Sequence, residues 1–123
     1  MTDVVVTVPK RLWADWLDEG ALAGEAMGLH PLGGYHFTLS LAGLPTIEPG
    51  ERVYIVAHGK LRGYARLCEI ERRCRLWPSR SCLMRRGGAV ALTIDEPIRG
   101  FQGWRYRWWE YEDEKPFPEW QKP

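Results

Sequence analysis

Apolar and polar positions alternate over much of the chain, and one stretch alone carries a helical period. Residues 3–8 read DVVVTV, a β-branched run that predicts a strand. Pro9 stands at a helix start, where its missing N–H costs nothing. Over 10–19, Leu12, Trp13, Trp16 and Leu17 share one helical face, with Asp15, Asp18 and Glu19 opposite, and Gly20 follows as a stop. Residues 21–34 hold four glycines and a proline and read as a loop. Further strands are expected at 35–41 (YHFTLSL), 51–57, 61–71 and 89–94, with a hairpin turn at His58-Gly59-Lys60. Residues 72–87 read as a polar, arginine-rich connection containing Trp77-Pro78. The aromatic and basic stretch 98–111 is expected to finish as a strand, and from Glu112 three prolines and the lack of periodicity predict a frayed tail.

One helix cannot cover both faces of so many strands, so the sheet is expected to curl on itself. The predicted class is α+β: a small curved β-barrel of about five to six strands with one or two flanking helices. At 123 residues the chain fits one domain, since domains most often run about 100–150 residues. We read that domain as 1–111, with 112–123 as a C-terminal tail. No apolar run approaches the roughly 18 residues that cross a bilayer, and the opening MTDVVVTVPK lacks the basic-then-apolar pattern of a leader. Cys68, Cys74 and Cys82 are odd in number and form no CxxC, which predicts buried or idle thiols in a reducing compartment. The expected location is cytoplasmic.

Charge changes the picture through its distribution. The net value is +1, yet 66–86 hold Arg66, Arg72, Arg73, Arg75, Arg80, Arg85 and Arg86 against Glu69 and Glu71. Arg99, Arg105 and Arg107 follow, while acids gather in the first helix and at Glu110, Glu112, Asp113, Glu114 and Glu119. Such polarity is expected of a protein with one anion-facing side, and the planar fork of arginine suits phosphates and stacking.

Seven tryptophans are the most unusual feature, and many must be core. Trp13 and Trp16 pack the helix or wall a cleft. In RGFQGWRYRWW (99–109), an extended chain puts Gln102, Trp104, Tyr106 and Trp108 on one face, with Phe101, Gly103, Arg105, Arg107 and Trp109 on the other. The first face either fills the fold or offers stacking platforms for bases, with the interleaved arginines contacting phosphates. Lys60, Arg62 and Tyr64 alternate onto one face of the hairpin as a second basic strip, or as an ordinary solvent face. The 72–86 loop is an electrostatic footprint or a partner-binding loop. His30, His36 and His58 form no metal-binding spacing, and Ser40, Ser79 and Ser81 lack a nucleophile context.

Two stretches carry a resemblance. VTVPKRLWADWLDEG, near the start, and PGERVYIVAHGKLRGYARLCEIE, over 49–71, resemble the PUA-like superfamily, and within it the ASCH and EVE-type domains. Residues 89–94 fit a late barrel strand of that family more loosely. The resemblance covers about half the chain. It implies a small barrel, a cleft beside the first helix, and binding of RNA or of modified DNA bases. Hydrolytic ASCH proteins carry a Gly-x-Lys element after the first helix. Here Gly20-Ala21-Leu22-Ala23-Gly24-Glu25 puts leucine in place of that lysine, which argues against the hydrolysis.

The expected function is therefore a nucleic-acid or nucleotide binding module that needs no cofactor. Its site is Lys10, Arg11, Trp13, His36, Lys60, Arg62, Tyr64, Arg99, Trp104, Arg105 and Tyr106, with one or two rings stacking on a base, in one form a flipped and modified one. The alternative is an ASCH-type hydrolase of modified nucleosides or RNA, for which Lys10, Glu25, His36 and Glu96 are the available acid–base groups. A third reading is a protein-interaction domain using Trp120 and the PFPEW stretch.

Overall fold

The computed structural model describes residues 2–14, 35–40, 44–73 and 80–122, without the side chains of 12, 35–40, 68, 69 and 84–89. The expectations for 15–34 (Trp16, Glu25 and His30 among them) and for 74–79 (Cys74 and Trp77) lie outside these residues.

The strands fall largely where alternation places them. They are β1 (Val4–Thr7), β2 (Tyr35–Ser40), β3 (Arg52–Ala57), β4 (Lys60–Glu71), β5 (Arg80–Thr93), β6 (Trp104–Tyr106) and β7 (Lys115–Pro116). Their order is β2-β5-β4-β3-β1-β6, with β7 paired to the far end of β5. β1 runs parallel to β3, and the other pairings are antiparallel.

The α+β barrel with flanking helices does not form. The sheet is open, with β2 and β6 at its two ends, and among the described residues no helix flanks it. Of the expected helix, the described residues show a 3₁₀ turn, Lys10–Leu12, and helical backbone at Trp13 and Ala14. The physical reason is that irregular segments cover both faces, so closure is not needed to bury them. On one face Val4, Val6, Ile55 and Leu83 pack with Ile47 and Trp120. On the other, Val5, Tyr54, Val56 and Leu61 pack with Ile94, Ile98 and Trp109. Ile94, Ile98 and Trp109 come from the connection around β6, and Trp120 from the segment expected to fray. That segment adds β7 opposite Leu92–Thr93, and Trp120 is 5% exposed.

β5 absorbs part of the arginine-rich stretch read as a connection, since residues 80–87 are strand. Ser81, Cys82 and Leu83 are buried within it. Cys82 is disulfide-bonded, which corrects the expectation of idle thiols and removes the ground for a reducing compartment. The side chains of Cys68 and Cys74 lie outside the described set. Among the described residues no helix is long and apolar enough to cross a membrane.

The β3–β4 hairpin turns in two residues, His58 (φ 49) and Gly59 (φ 76), the paired left-handed conformations of a type I′ turn. Past the turn the register slips. Val56 faces Leu61 but Ile55 faces Gly63, so Arg62 is the extra residue of a bulge. Gly63 (φ 152) makes the bulge possible, because a Cβ there would lie 2.3 Å from the Val90 carbonyl oxygen. A Cβ on Gly59 would meet nothing within 4 Å. Gly63→Ala is therefore expected to cost about 3 kcal/mol or more through the forced separation of β4 and β5. Gly59→Ala should cost about 1 kcal/mol, from its left-handed backbone alone. Urea unfolding of the two variants checks the difference, and equal losses would remove the close approach as its cause.

Candidate anion-binding end of the sheet

Three hydrogen bonds gather loops at the end of the sheet where β1 and β3 finish. Val8 N–H donates to the Val56 carbonyl (2.8 Å), Ile98 N–H to the Gly59 carbonyl (2.9 Å) and Phe101 N–H to Thr7 Oγ1 (3.1 Å). The turn after β1, the hairpin turn and the stretch before β6 are thereby neighbours. They bring Lys10, Arg11, Trp13, Lys60, Arg62 and Arg99 to one end of the sheet. Lys10, Arg11, Lys60 and Arg99 are exposed and make no ion pair with a described residue.

Arg62 sits beneath them and is 2% exposed. Its Nε donates to the Ala57 carbonyl at 2.9 Å, and Nη1 donates to the carbonyls of Trp120 (3.2 Å) and Lys122. Its guanidinium carbon lies 5.2 Å from the ring centres of both Trp13 and Phe117. No carboxylate of a described residue pairs with it, and burial pushes its pKa down. Arg62 thus acts as a buried clamp, joining the hairpin to the C-terminal segment and lending that end its field. Arg62→Leu should lower stability by about 2–4 kcal/mol, because the carbonyls of Ala57, Trp120 and Lys122 lose their donor together. Arg62→Lys should recover only a minor part, since an ammonium lacks the fork. Thermal unfolding checks both, and full recovery by lysine would refute the clamp.

His58 was read only as a turn residue, yet it belongs to this site. Its Nε2 is buried without a hydrogen-bond partner, and its ring meets Trp13 edge-on, with centres 4.9 Å apart and planes at 83°. Burial, then the charges of Arg62 and Lys10, push its pKa below the usual 6.5. The unfolded chain therefore takes up this proton first as pH falls, so the contribution of His58 to stability is full above the ordinary imidazole range. That contribution declines on acidification and levels off below the folded-state pKa. The stability gap between the wild type and His58→Asn, which tolerates the left-handed backbone and does not titrate, should narrow or invert from neutral to acid pH in denaturant unfolding. A pH-independent gap would show that His58 is not held neutral.

Other expected site residues stand apart. Tyr64 does not share a face with Arg62, because the bulge reverses the alternation. Its ring is 6% exposed and packs in the second core against Tyr54, with the Arg52 guanidinium 4.1 Å from its centre. Trp104 and Tyr106 share one face of β6, as alternation required, with ring centres 4.8 Å apart. Trp104 is packed on the first core, and the Tyr106 hydroxyl accepts the Thr46 N–H (3.0 Å). Arg105 points to the opposite face and covers Phe101 at 4.3 Å. His36 faces Met84 on β2, and its side chain is outside the described set.

The opposite pole carries a network that sequence reading missed. Glu114 accepts from Arg52 (2.9 Å), from the Tyr54 hydroxyl and from Trp109 Nε1 (2.9 Å). Asp3 accepts from Arg107 Nε (3.1 Å), the Tyr111 hydroxyl (2.6 Å) and the Arg52 N–H (2.8 Å). Burial and the bond to Glu114 push the Tyr54 phenol far above its usual range. A cavity of about 350 Å³ nearby is lined by Ile94, Asp95, Glu96, Trp109, Glu112, Asp113, Glu114 and Lys115. Its acidic wall suits no phosphate. Glu96 lines this cavity and accepts from Trp108 Nε1 (3.2 Å). Among the described residues no group of three or more His, Cys, Asp or Glu side chains is placed to hold a metal.

No family model, no curated protein and no solved structure matches this chain.

Proposed function

We propose that the chain is a binding module for a nucleic acid or nucleotide, and that its ligand lies across the end of the sheet formed by the turn after β1 and the β3–β4 turn. One observation carries this reading: Lys10, Arg11, Lys60 and Arg99 are exposed at the end of the sheet that holds the half-buried Trp13, and none makes an ion pair with a described residue. Cations so placed attract a polyanion, and Trp13 offers an aromatic surface within the same patch. The lysines and arginines contact phosphates, while Arg62 acts from below through its charge. A cytoplasmic location, where such ligands abound, fits this reading; the disulfide at Cys82 pulls the other way.

A tryptophan fluorescence titration with a short single-stranded oligonucleotide tests it. Four phosphate contacts, at a slope of about −0.7 each, imply that affinity falls about fiftyfold between about 50 and 200 mM salt. Lys10→Gln and Lys60→Gln should each weaken binding for all sequences alike and reduce the slope by about 0.7. Affinity indifferent to salt, or variants that bind like the wild type, would overturn the proposal.

A further inference from the structure

We infer that the corner formed by His58, Lys10 and Trp13 is a seat for one phosphodiester group of the ligand, and that filling it places a proton on His58 Nε2. The inference rests on the binding reading above and adds to it the atom that receives the phosphate.

A buried polar nitrogen without a partner calls for an explanation, because such atoms are nearly always satisfied by protein, water or an ion. His58 Nε2 is such an atom. Its ring is fixed from behind, since it sits in the tight turn with φ 49, where Ala57 pairs with Lys60. In front of it stands Trp13, whose indole is half-buried and packed at the margin of the first core. Among the described residues, the charges that act on the imidazole are cationic. Lys10 comes from the 3₁₀ turn and Arg62 from β4; the stretch bonded to the turn through Ile98 adds Arg99 and carries Asp95 and Glu96, held by Lys115 and Trp108, and the C-terminal segment brings Glu119 paired with Lys122 (3.3 Å).

This combination has a defined chemical preference. A metal cation is disfavoured by the surrounding positive charge. A carbonyl or water would satisfy the nitrogen but leave the field of Lys10 and Arg62 uncompensated. A phosphate oxygen does both: it accepts an N–H from the imidazolium and neutralises the adjoining cations. The proton comes from solvent, giving imidazole + H⁺ → imidazolium, with the N–H then donated to the phosphate oxygen. In the free protein those cations oppose that proton; a bound phosphate reverses the sign of the local field. Trp13 touches the imidazole edge-on, so indole emission reports a change at this ring.

Protonation on binding fixes the pH dependence. His58 has a higher pKa in the complex than in the free chain, so affinity rises as pH falls through the bound-state value. It becomes constant again below the free-state value. A phosphodiester does not titrate in this interval, so an oligonucleotide lacking terminal phosphates isolates the contribution of the protein.

The experiment compares the wild type with His58→Asn, using that oligonucleotide at constant low salt from about pH 8 to pH 5. Wild-type affinity should rise by up to about tenfold per pH unit within the window, and the variant should bind with a flat profile near the wild type's alkaline limit. In parallel, imidazole NMR of the wild-type protein, with His58 identified by its absence from the variant, should show its pKa rise on saturation. Binding with the same pH profile in both proteins, or an unchanged His58 pKa on saturation, overturns this inference and leaves the binding reading standing. Failure of the wild type to bind at any pH overturns both. Should His58→Asn fail to fold, His58→Gln takes its place, with the wild-type histidine signal that moves on ligand addition read against it.

Discussion

A guanidinium withdrawn from water, with carbonyls rather than a carboxylate around it, is the constraint on which the rest of this structure depends. Arg62 holds the hairpin end of β3 through Ala57 and the C-terminal segment through Trp120 and Lys122. A charge in such a place is tolerated only if its donors find acceptors. The acceptors lie on two segments 58 and 5 residues away in sequence, so satisfying the arginine fixes how those segments meet. With the segment fixed, Trp120 enters the first core and Phe117 covers the guanidinium. The bulge is part of the same device. With Arg62 as the additional residue, Leu61 and Tyr64 both stay on the second core while the guanidinium lies against Trp13 and Phe117.

The open sheet follows from the way its faces are covered. Barrel closure removes edges and buries an interior, but it is one solution among several. Here each face receives apolar side chains from segments with little regular structure: Ile47 and Trp120 on one side, Ile94, Ile98 and Trp109 on the other. Such segments bury their backbone only when each polar group is matched. The Asp3 and Glu114 carboxylates do much of that matching at one pole, each accepting three donors, with the Arg52 and Arg107 guanidinium groups stacked on Tyr111. The β6 edge is correspondingly short, which limits what it exposes to another chain.

Much of the strand content was legible because the hydrophobic alternation of residues 3–8 and 51–57 survives in the fold. The hairpin was legible too, since His58-Gly59 can occupy two left-handed positions in succession. What escaped had physical causes. Arg62 read as a solvent-facing residue because charge usually implies exposure; only Gly63, a glycine inside a strand, hinted at a bulge. The N-terminal part of β5 was hidden because its arginines and glycines resemble a loop, although Cys82 and Leu83 are buried. The last segment looked frayed because its prolines interrupt any period, whereas three side chains and a two-residue strand suffice to anchor it. Of the site, the basic members were legible from charge and place in the chain. Tyr64 was not correctly placed, because the bulge reassigns its surroundings. His58 escaped because an unpartnered nitrogen is a property of packing, which no spacing encodes.

The two poles are treated differently by the same chain, and that contrast is the strongest argument that the basic end is for something. At the pole where β1 and β3 begin the cations are matched: Arg52 with Glu114 and Arg107 with Asp3. At the other, Lys10, Arg11, Lys60 and Arg99 have no acid among the described residues, and beneath them a buried arginine adds its field. Like charges so gathered repel, and the folded state gains nothing from the arrangement. On the proposed reading, an anion bound at this end would relieve the repulsion among these cations, and that relief would add to its affinity.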